Sequence, residues 1–343
     1  MKKLFAMILS AAILTTVLTA CGSNLQDTAV EQDKEQEKEK LSVVTTLFVS
    51  YDFARQIVGD NANITLLLPP GTESHSYEPT PQDIIAIQNC DIFIYNGGES
   101  DEWVSEVLNS VGNDNIKVVA MTDCVNLVEE EIVEGMEHEH EDGAEGEHHD
   151  EAEHHEESGH HEESGHHEEF DEHVWTSPKN AIKIVNAISA AVCEADAKNK
   201  DTYAGNTAAY IEKLTALDKE FESVVATAAR KTVVFGDRFP IRYFVDAYGL
   251  DYFAAFPGCS TDTEPSAATV AFLIDKIKLE KIPVVFHIEL SNEKMADSIC
   301  EATGAKKLLF NASHNVSKAD FENGVTYLKL MEHNVTALKE ALN

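Results

Sequence analysis

The apolar positions recur from Leu41 onward in a pattern that alternates strand and helix. Leu41 to Val49 reads as a buried strand, after which Ser50 caps a short helix, Tyr51 to Val58, that stops at Gly59. Ile64 to Leu68 is a second apolar run, ended by Pro69, Pro70 and Gly71. A helix over Pro81 to Asn89, a strand over Ile92 to Tyr95, a helix over Glu102 to Val111 and a strand over Ile116 to Met121 complete the first series. Pro178, placed behind Ser177 as a first-turn proline should be, opens a helix to about Ala197.

Thr202 to Ala229 follows as one long helical pattern, with Tyr210, Leu214, Leu217, Phe221 and Val224/Val225 at spacings of three and four. At about 1.5 Å per residue it reaches some 40 Å, more than one lobe needs, and it reads as a rigid connector. The alternation then resumes. Strands are expected at Thr232 to Phe235, Asp251 to Ala255, Val284 to Ile288 and Lys306 to Phe310; helices at Ile241 to Tyr248, Pro265 to Leu279, Glu293 to Thr303 and Ala319 to Leu342. The expected fold class is α/β: an N-terminal lobe (41–200) and a C-terminal lobe (231–343), each a parallel-sheet sandwich, joined by the helix of 201–230. A ligand of such a fold sits in the cleft, at the C-terminal ends of strands.

The first twenty residues have a different character. Lys2 and Lys3 precede an apolar run from Leu4 to Ala20, the layout of a secretory signal, and the run is at the short end of the roughly 17 to 25 residues a spanning helix needs. Leu18-Thr19-Ala20-Cys21 resembles the bacterial lipobox, which makes Cys21 a lipidated first residue and places the protein outside the cytoplasm on the cell membrane. Residues 21–40 are rich in Glu, Gln, Lys and Asp and have no aromatic residue, so they bury too little apolar surface to offset ordering and read as a tether. Five further cysteines, Cys90, Cys124, Cys193, Cys259 and Cys300, are scattered and odd in number, which gives neither a disulfide framework nor a Cys-x-x-Cys zinc site.

Charge sharpens the picture. The net charge is −35, and no Lys or Arg occurs between Lys117 and Lys179. Such acidity excludes nucleic acid and favours cations. Within that span, residues 135–169 set His138, His140, His148, His149, His154, His155, His160, His161, His166 and His167 among Glu and Asp. The unit His-His-Glu-Glu-Ser-Gly at 160–165 is repeated on either side in whole or in part, the mark of an expanded element. Imidazole is a borderline-soft donor suited to Zn, Ni or Cu, and the acidic background concentrates cations. A solvated acidic loop is the plain alternative.

Two single histidines stand apart from this tract. His75 lies in a proline-stiffened loop just past the second strand, and His173 lies between the tract and the Pro178 helix, so both belong at the cleft. Pro-Pro-Gly-x-x-x-His-x-Tyr-Glu-Pro at 69–79, Asp-Glu-His-Val-Trp-x-x-Pro-Lys-Asn at 171–180 and Tyr248-Gly249-Leu250 resemble the zinc and manganese solute-binding lipoproteins of bacterial ABC importers, the cluster A-I or high-affinity zinc-binding family, over Leu41 to Asn343. The resemblance implies two lobes joined by a long helix, metal between them, and His75 and His173 as ligands. It further implies that an acidic His-rich loop marks a preference for Zn2+ over Mn2+, and that a separate permease and ATPase are partners.

The second-lobe ligands depart from that pattern. Counting back from Tyr243 and Phe244, the family's histidine falls on Arg238, which stays protonated and cannot ligate, so Asp237 is the substitute, unless it merely pairs with Arg238. In the region where the family supplies a late Asp, His314 is the strongest donor; Glu289 is held in reserve, and His287 reads as a core residue. The expected set is therefore His75, His173, Asp237 and His314, a tetrahedral N/O site suited to Zn2+, in a monomer. A metallohydrolase is the first rival, but there is no His-Glu-x-x-His and no Gly-x-Ser-x-Gly. A surface adhesin or metal buffer is the second, and the two-lobed body with its own paired histidines argues against it. No Gly-x-x-x-x-Gly-Lys is present, so the chain is not its own ATPase.

Overall fold

Two apolar runs of the first series, Leu41–Thr45 and Ile92–Tyr95, become strands buried on both faces, which requires helices above and below. The computed structural model describes residues 40–113, 115–136, 170–259 and 265–343. The expected signal peptide, Cys21, the tether up to residue 39 and residues 137–169 of the His-rich segment lie outside the described residues.

The N-terminal lobe carries β1 (Leu41–Thr45), α1 (Phe48–Val58), β2 (Ala62–Leu66), α2 (Pro81–Gln88), β3 (Ile92–Tyr95), α3 (Trp103–Val111) and β4 (Lys117–Ala120). Its strands pair in parallel in the order β2-β1-β3-β4. Next come α4 (Pro178–Ala195) and the 27-residue α5 (Lys200–Ala226). The C-terminal lobe continues with β5 (Thr232–Phe239), α6 (Arg242–Tyr248), β6 (Asp251–Pro257), α7 (Ala267–Glu280), β7 (Val284–His287), α8 (Lys294–Thr303), β8 (Lys306–Leu309), α9 (Lys318–Glu322) and α10 (Tyr327–Leu342), with parallel order β6-β5-β7-β8.

The stripe expected on the long helix is the buried one. Tyr203, Thr207, Tyr210, Leu214, Leu217, Phe221 and Val225 face inward, and one apolar cluster continues from Val43 and Phe53 through Leu214 and Phe221 to Phe235, Phe286 and Phe310. Each such side chain contributes roughly 1.5–3 kcal/mol on burial. This shared core fixes the relative placement of the sheet edges that carry the site.

Three boundaries differ from the sequence pattern for identifiable reasons. Helix α1 begins at Phe48, so Ser50 is its third residue; its hydroxyl donates back to the Leu47 carbonyl at 2.8 Å and accepts the Leu47 N–H. The C-terminal helical pattern breaks at Asn323 and Gly324, the latter at φ 71°, and Thr326 caps α10 by accepting the Lys329 N–H. The first turn of α10 then seats on α1: buried Asp52 accepts the Tyr327 N–H at 2.8 Å, and the rings of Phe53 and Tyr327 meet edge to face.

The third difference bears on the site. Strand β5 does not stop at Phe235 but runs to Phe239, with a register shift against β6 between Phe235 and Arg238. Gly236 sits in that bulge because a Cβ there meets the Ala296 Cα at 2.7 Å, so only glycine lets α8 pack this close. The bulge re-aims the next residue, Asp237.

Candidate metal centre

Three histidines from three loops, each at the C-terminal end of a strand or the start of a helix, converge between the sheets. His75 rides the loop between β2 and α2, His173 opens the short 3-10 turn Val174–Thr176 ahead of α4, and His314 follows β8. The donor atoms of His75, His173 and His314 all lie within 4.8 Å of one another, and the ring centroids are 4.7 Å (His173 to His314), 5.5 Å (His75 to His173) and 5.6 Å (His75 to His314) apart. Tetrahedral zinc with bonds of about 2.0–2.1 Å needs nitrogens roughly 3.4 Å apart, so a contraction of at most about 1.4 Å closes the set.

Cross-lobe contacts hold these loops. The Asn315 amide donates to the Pro69 and Thr72 carbonyls at 2.8 and 2.9 Å, and the Gly71 N–H donates to the Val316 carbonyl at 2.8 Å. The loop of His314 thus grips the loop of His75. Trp175, fully buried, donates its indole N–H to the Ala312 carbonyl at 2.7 Å and lays its ring edge to face with both His173 and His314.

Each imidazole is backed by a carboxylate on Nδ1. His173 Nδ1 is 3.0 Å from Asp171 Oδ1, His75 Nδ1 is 3.0 Å from Ser100 Oγ and 3.4 Å from Glu172 Oε1, and His314 Nδ1 is 3.5 Å from Glu289 Oε1. With Nδ1–H turned to a carboxylate, the neutral ring offers its Nε2 lone pair inward. The Nε2 atoms of His173 and His314 are buried with no hydrogen-bond partner among the described residues. An unmet buried polar atom costs about 1–3 kcal/mol, and a divalent cation between the rings removes that cost.

The electrostatics follow from this packing. Burial opposes charge on His173, but Asp171, by charge and hydrogen bond, and then Glu172 outweigh it and raise its pKa above the ordinary value. Burial, joined by the charges of His173 and His75, drives His314 down to about 4 against the pull of Glu289. Burial also disfavours ionised Glu172, yet its hydrogen bond to His75, the charge of His173 and the Ser100 contact hold it at about 2. Asp171, Glu172 and Glu289 thus present negative charge behind three imidazoles, a field that favours a cation.

Asp237, expected as a ligand, is not brought into this group. Because β5 runs through it, its Oδ1 accepts the Arg238 N–H at 2.9 Å and its Oδ2 accepts the Ile288 N–H at 3.1 Å, bracing β5 against the end of β7. It lines a cavity of about 350 Å3 that also touches His75. Arg238 reaches across the lobes to Glu73 at 3.1 Å, rather than turning its guanidinium to Asp237. Glu289, the reserve ligand, accepts the Ala312 and His314 N–H groups at 2.7 and 2.9 Å and so fixes the His314 loop. His287 is half-buried, with Nδ1 3.1 Å from the Ile288 carbonyl.

Asp171, Glu172, Trp175 and Ser313 support the site without standing out as ligands in the sequence pattern. The first three stand in the quoted motif around His173, and a carboxylate two residues before a candidate ligand is a signal for an orienting partner. Ser313 carries no such signal: it is buried at φ 65°, a left-handed conformation costing about 1–3 kcal/mol, and that turn aims both neighbouring amides at Glu289.

The family described as zinc-uptake complex component A, periplasmic (ZnuA), matches residues 43–341. The chain is 34% identical over 341 residues to the zinc-binding lipoprotein AdcA of Streptococcus pneumoniae, covering 99% of this chain and 61% of AdcA, so it spans about three fifths of that relative. It is 34% identical over 326 residues to the high-affinity zinc uptake system protein ZnuA of Bacillus subtilis, covering 95% of this chain and 94% of that protein. Among solved structures, the Zn(II)-bound ZnuA-like domain of the pneumococcal AdcA aligns with a TM-score of 0.68 at 31% identity, over 88% of this chain and 99% of that domain.

Proposed function

Since the chain belongs to the zinc-uptake complex component A (ZnuA) family, we propose that its three-imidazole centre captures Zn2+ outside the cytoplasm and that the protein delivers it to an ABC permease driven by a separate ATPase. The observation that carries this reading is the pair of buried, partnerless Nε2 atoms of His173 and His314, on rings whose centroids lie 4.7 Å apart, with carboxylates behind them. His75, His173 and His314 supply three corners of a tetrahedron, and the fourth is left to water, which suits a cargo that must be released. Three neutral nitrogens favour Zn2+ over Mn2+, whose preference is for oxygen donors. Asp171 and Glu289 are occupied in holding imidazoles and amides, so we assign capture rather than catalysis.

Cys21 is the proposed lipid attachment, with residues 22–40 as the tether; among the described residues no helix is long and apolar enough to cross a membrane. The His-rich segment, which ends just before Phe170, is proposed to collect Zn2+ weakly and feed it to His173. Calorimetry with a competing chelator tests the centre. One tight equivalent is expected, of order 12 kcal/mol if nanomolar. It should be absent from a His75→Ala, His173→Ala double variant, and its survival there removes the assignment.

A further inference from the structure

The backbone after β6 passes directly over the His173 ring. A Cβ placed on Gly258 meets the ring at 3.1 Å and the Phe239 carbonyl at 2.9 Å, so only glycine permits the approach. The next residue, Cys259, brings its sulfur within 4.8 Å of donor atoms of both Glu172 and His173. Neither His75 nor His314 belongs to this second group, and Cys259 does not belong to the first. The two groups therefore mark two places that share one imidazole.

We propose that Cys259, Glu172 and His173 form a second divalent-metal position, alternative to the three-imidazole centre and occupied by metal on its way into it. The proposal rests on the reading of His173 as a metal donor. His173 is the donor common to both positions; its Nδ1 is engaged by Asp171 and its Nε2 has no hydrogen-bond partner among the described residues, so metal held through Nε2 at one position excludes metal held through Nε2 at the other. Exclusion by a shared ligand is what a hand-over requires, since the metal keeps one bond while it exchanges the rest.

The donor chemistry sets the direction. Thiolate, carboxylate and imidazole together carry two negative charges and neutralise M2+, with Glu130, whose Oε1 accepts the Cys259 N–H at 3.0 Å, adding a third negative charge beside them. Such a set attracts a cation from solvent strongly, and the thiol proton leaves to water as the S–M bond forms. The three-imidazole centre carries no ligand charge. Glu172 and His173 also follow the end of the His-rich segment by three and four residues.

Cobalt(II) is the probe, because a thiolate ligand adds a sulfur-to-metal charge-transfer band that imidazole and carboxylate do not give. In the full chain, stopped-flow mixing with Co2+ should show this band rise and then decay as the spectrum of the three-imidazole centre grows. A His75→Ala, His314→Ala variant, which keeps only the second set of donors, should hold the band at equilibrium, and adding Cys259→Ser should abolish it. In that double variant Zn2+ should slow alkylation of Cys259 about tenfold, because the metal-bound thiolate is withdrawn from reaction. Cys259→Ser alone should keep the tight zinc equivalent seen by calorimetry. No thiolate band in either experiment, or a band that survives Cys259→Ser, overturns the proposal while leaving the three-imidazole centre standing; loss of tight zinc from the unsubstituted chain overturns the functional reading instead.

Discussion

Replacing Asp171 by Asn isolates what the carboxylates behind the rings contribute. Asp171 Oδ1 accepts both the His173 backbone N–H at 2.8 Å and its Nδ1–H at 3.0 Å, so the amide oxygen of Asn keeps the shape of both bonds and removes only the charge. A cation bound at Nε2 lies roughly 7 Å from that charge; at an effective dielectric of about 20 the lost attraction for M2+ has a ceiling near 5 kcal/mol. Glu172 and Glu289 remain, and changes to such orienting partners typically cost 10–100-fold in affinity, or about 1.4–2.7 kcal/mol, which is the expected loss.

The pH dependence separates this from a simple loss of structure. Metal and proton compete for Nε2 of His173, whose pKa Asp171 holds above the ordinary histidine value. In the unsubstituted protein zinc binding should therefore begin to weaken above pH 6.5 as pH is lowered. In Asp171→Asn the proton loses the same support, so the deficit measured at pH 8 should narrow at pH 6. Chelator-competition calorimetry at both values reads this. An Asp171→Asn protein with unchanged affinity at both pH values would refute the claim that a charged partner on Nδ1 makes His173 a donor.

Three further outcomes follow from the same geometry. Asp237→Ala should weaken zinc by less than tenfold while His314→Ala loses the tight equivalent, because the Asp237 oxygens hold backbone amides; a loss at Asp237 matching that at His314, read by the same titration, returns Asp237 to the ligand set. Gly236→Ala should destabilise the metal-free fold by about 1–3 kcal/mol in urea, since its Cβ meets the Ala296 backbone at 2.7 Å. His314, held near 4 when folded, takes up its proton first in the unfolded chain, so its own contribution to metal-free stability should fall by about 3 kcal/mol as pH drops from 6.5 to 4 and then level off, opposite in sign to that of His173, whose pKa is raised. A His314→Phe variant should lack that slope in denaturant melts.

Local chemistry was enough to write down the eight strands and most of the helices, because strand and helix periods are properties of neighbouring residues. It also singled out His75 and His173 as donors, since a proline-stiffened loop after one strand and a Ser177-Pro178 helix start each set a side chain near an element end. His314 was within reach for a similar reason, as the one strong donor in the loop after β8. Asp237 was not, because its direction depends on whether β5 stops at Phe235 or continues through a bulge, and that is decided by how closely α8 packs on Gly236. The same holds for Glu289, whose carboxylate faces two amides only because Ser313 is held at a positive φ by its buried surroundings. Nor does spacing in the chain relate Cys259 to His173, 86 positions apart. Sequence determined which residues can give electrons to a metal, since that is fixed by the side chain and its immediate neighbours. The tertiary structure decided which of them point at the same few cubic ångströms, since that depends on strand register, helix approach and the grip of one lobe's loop on the other's.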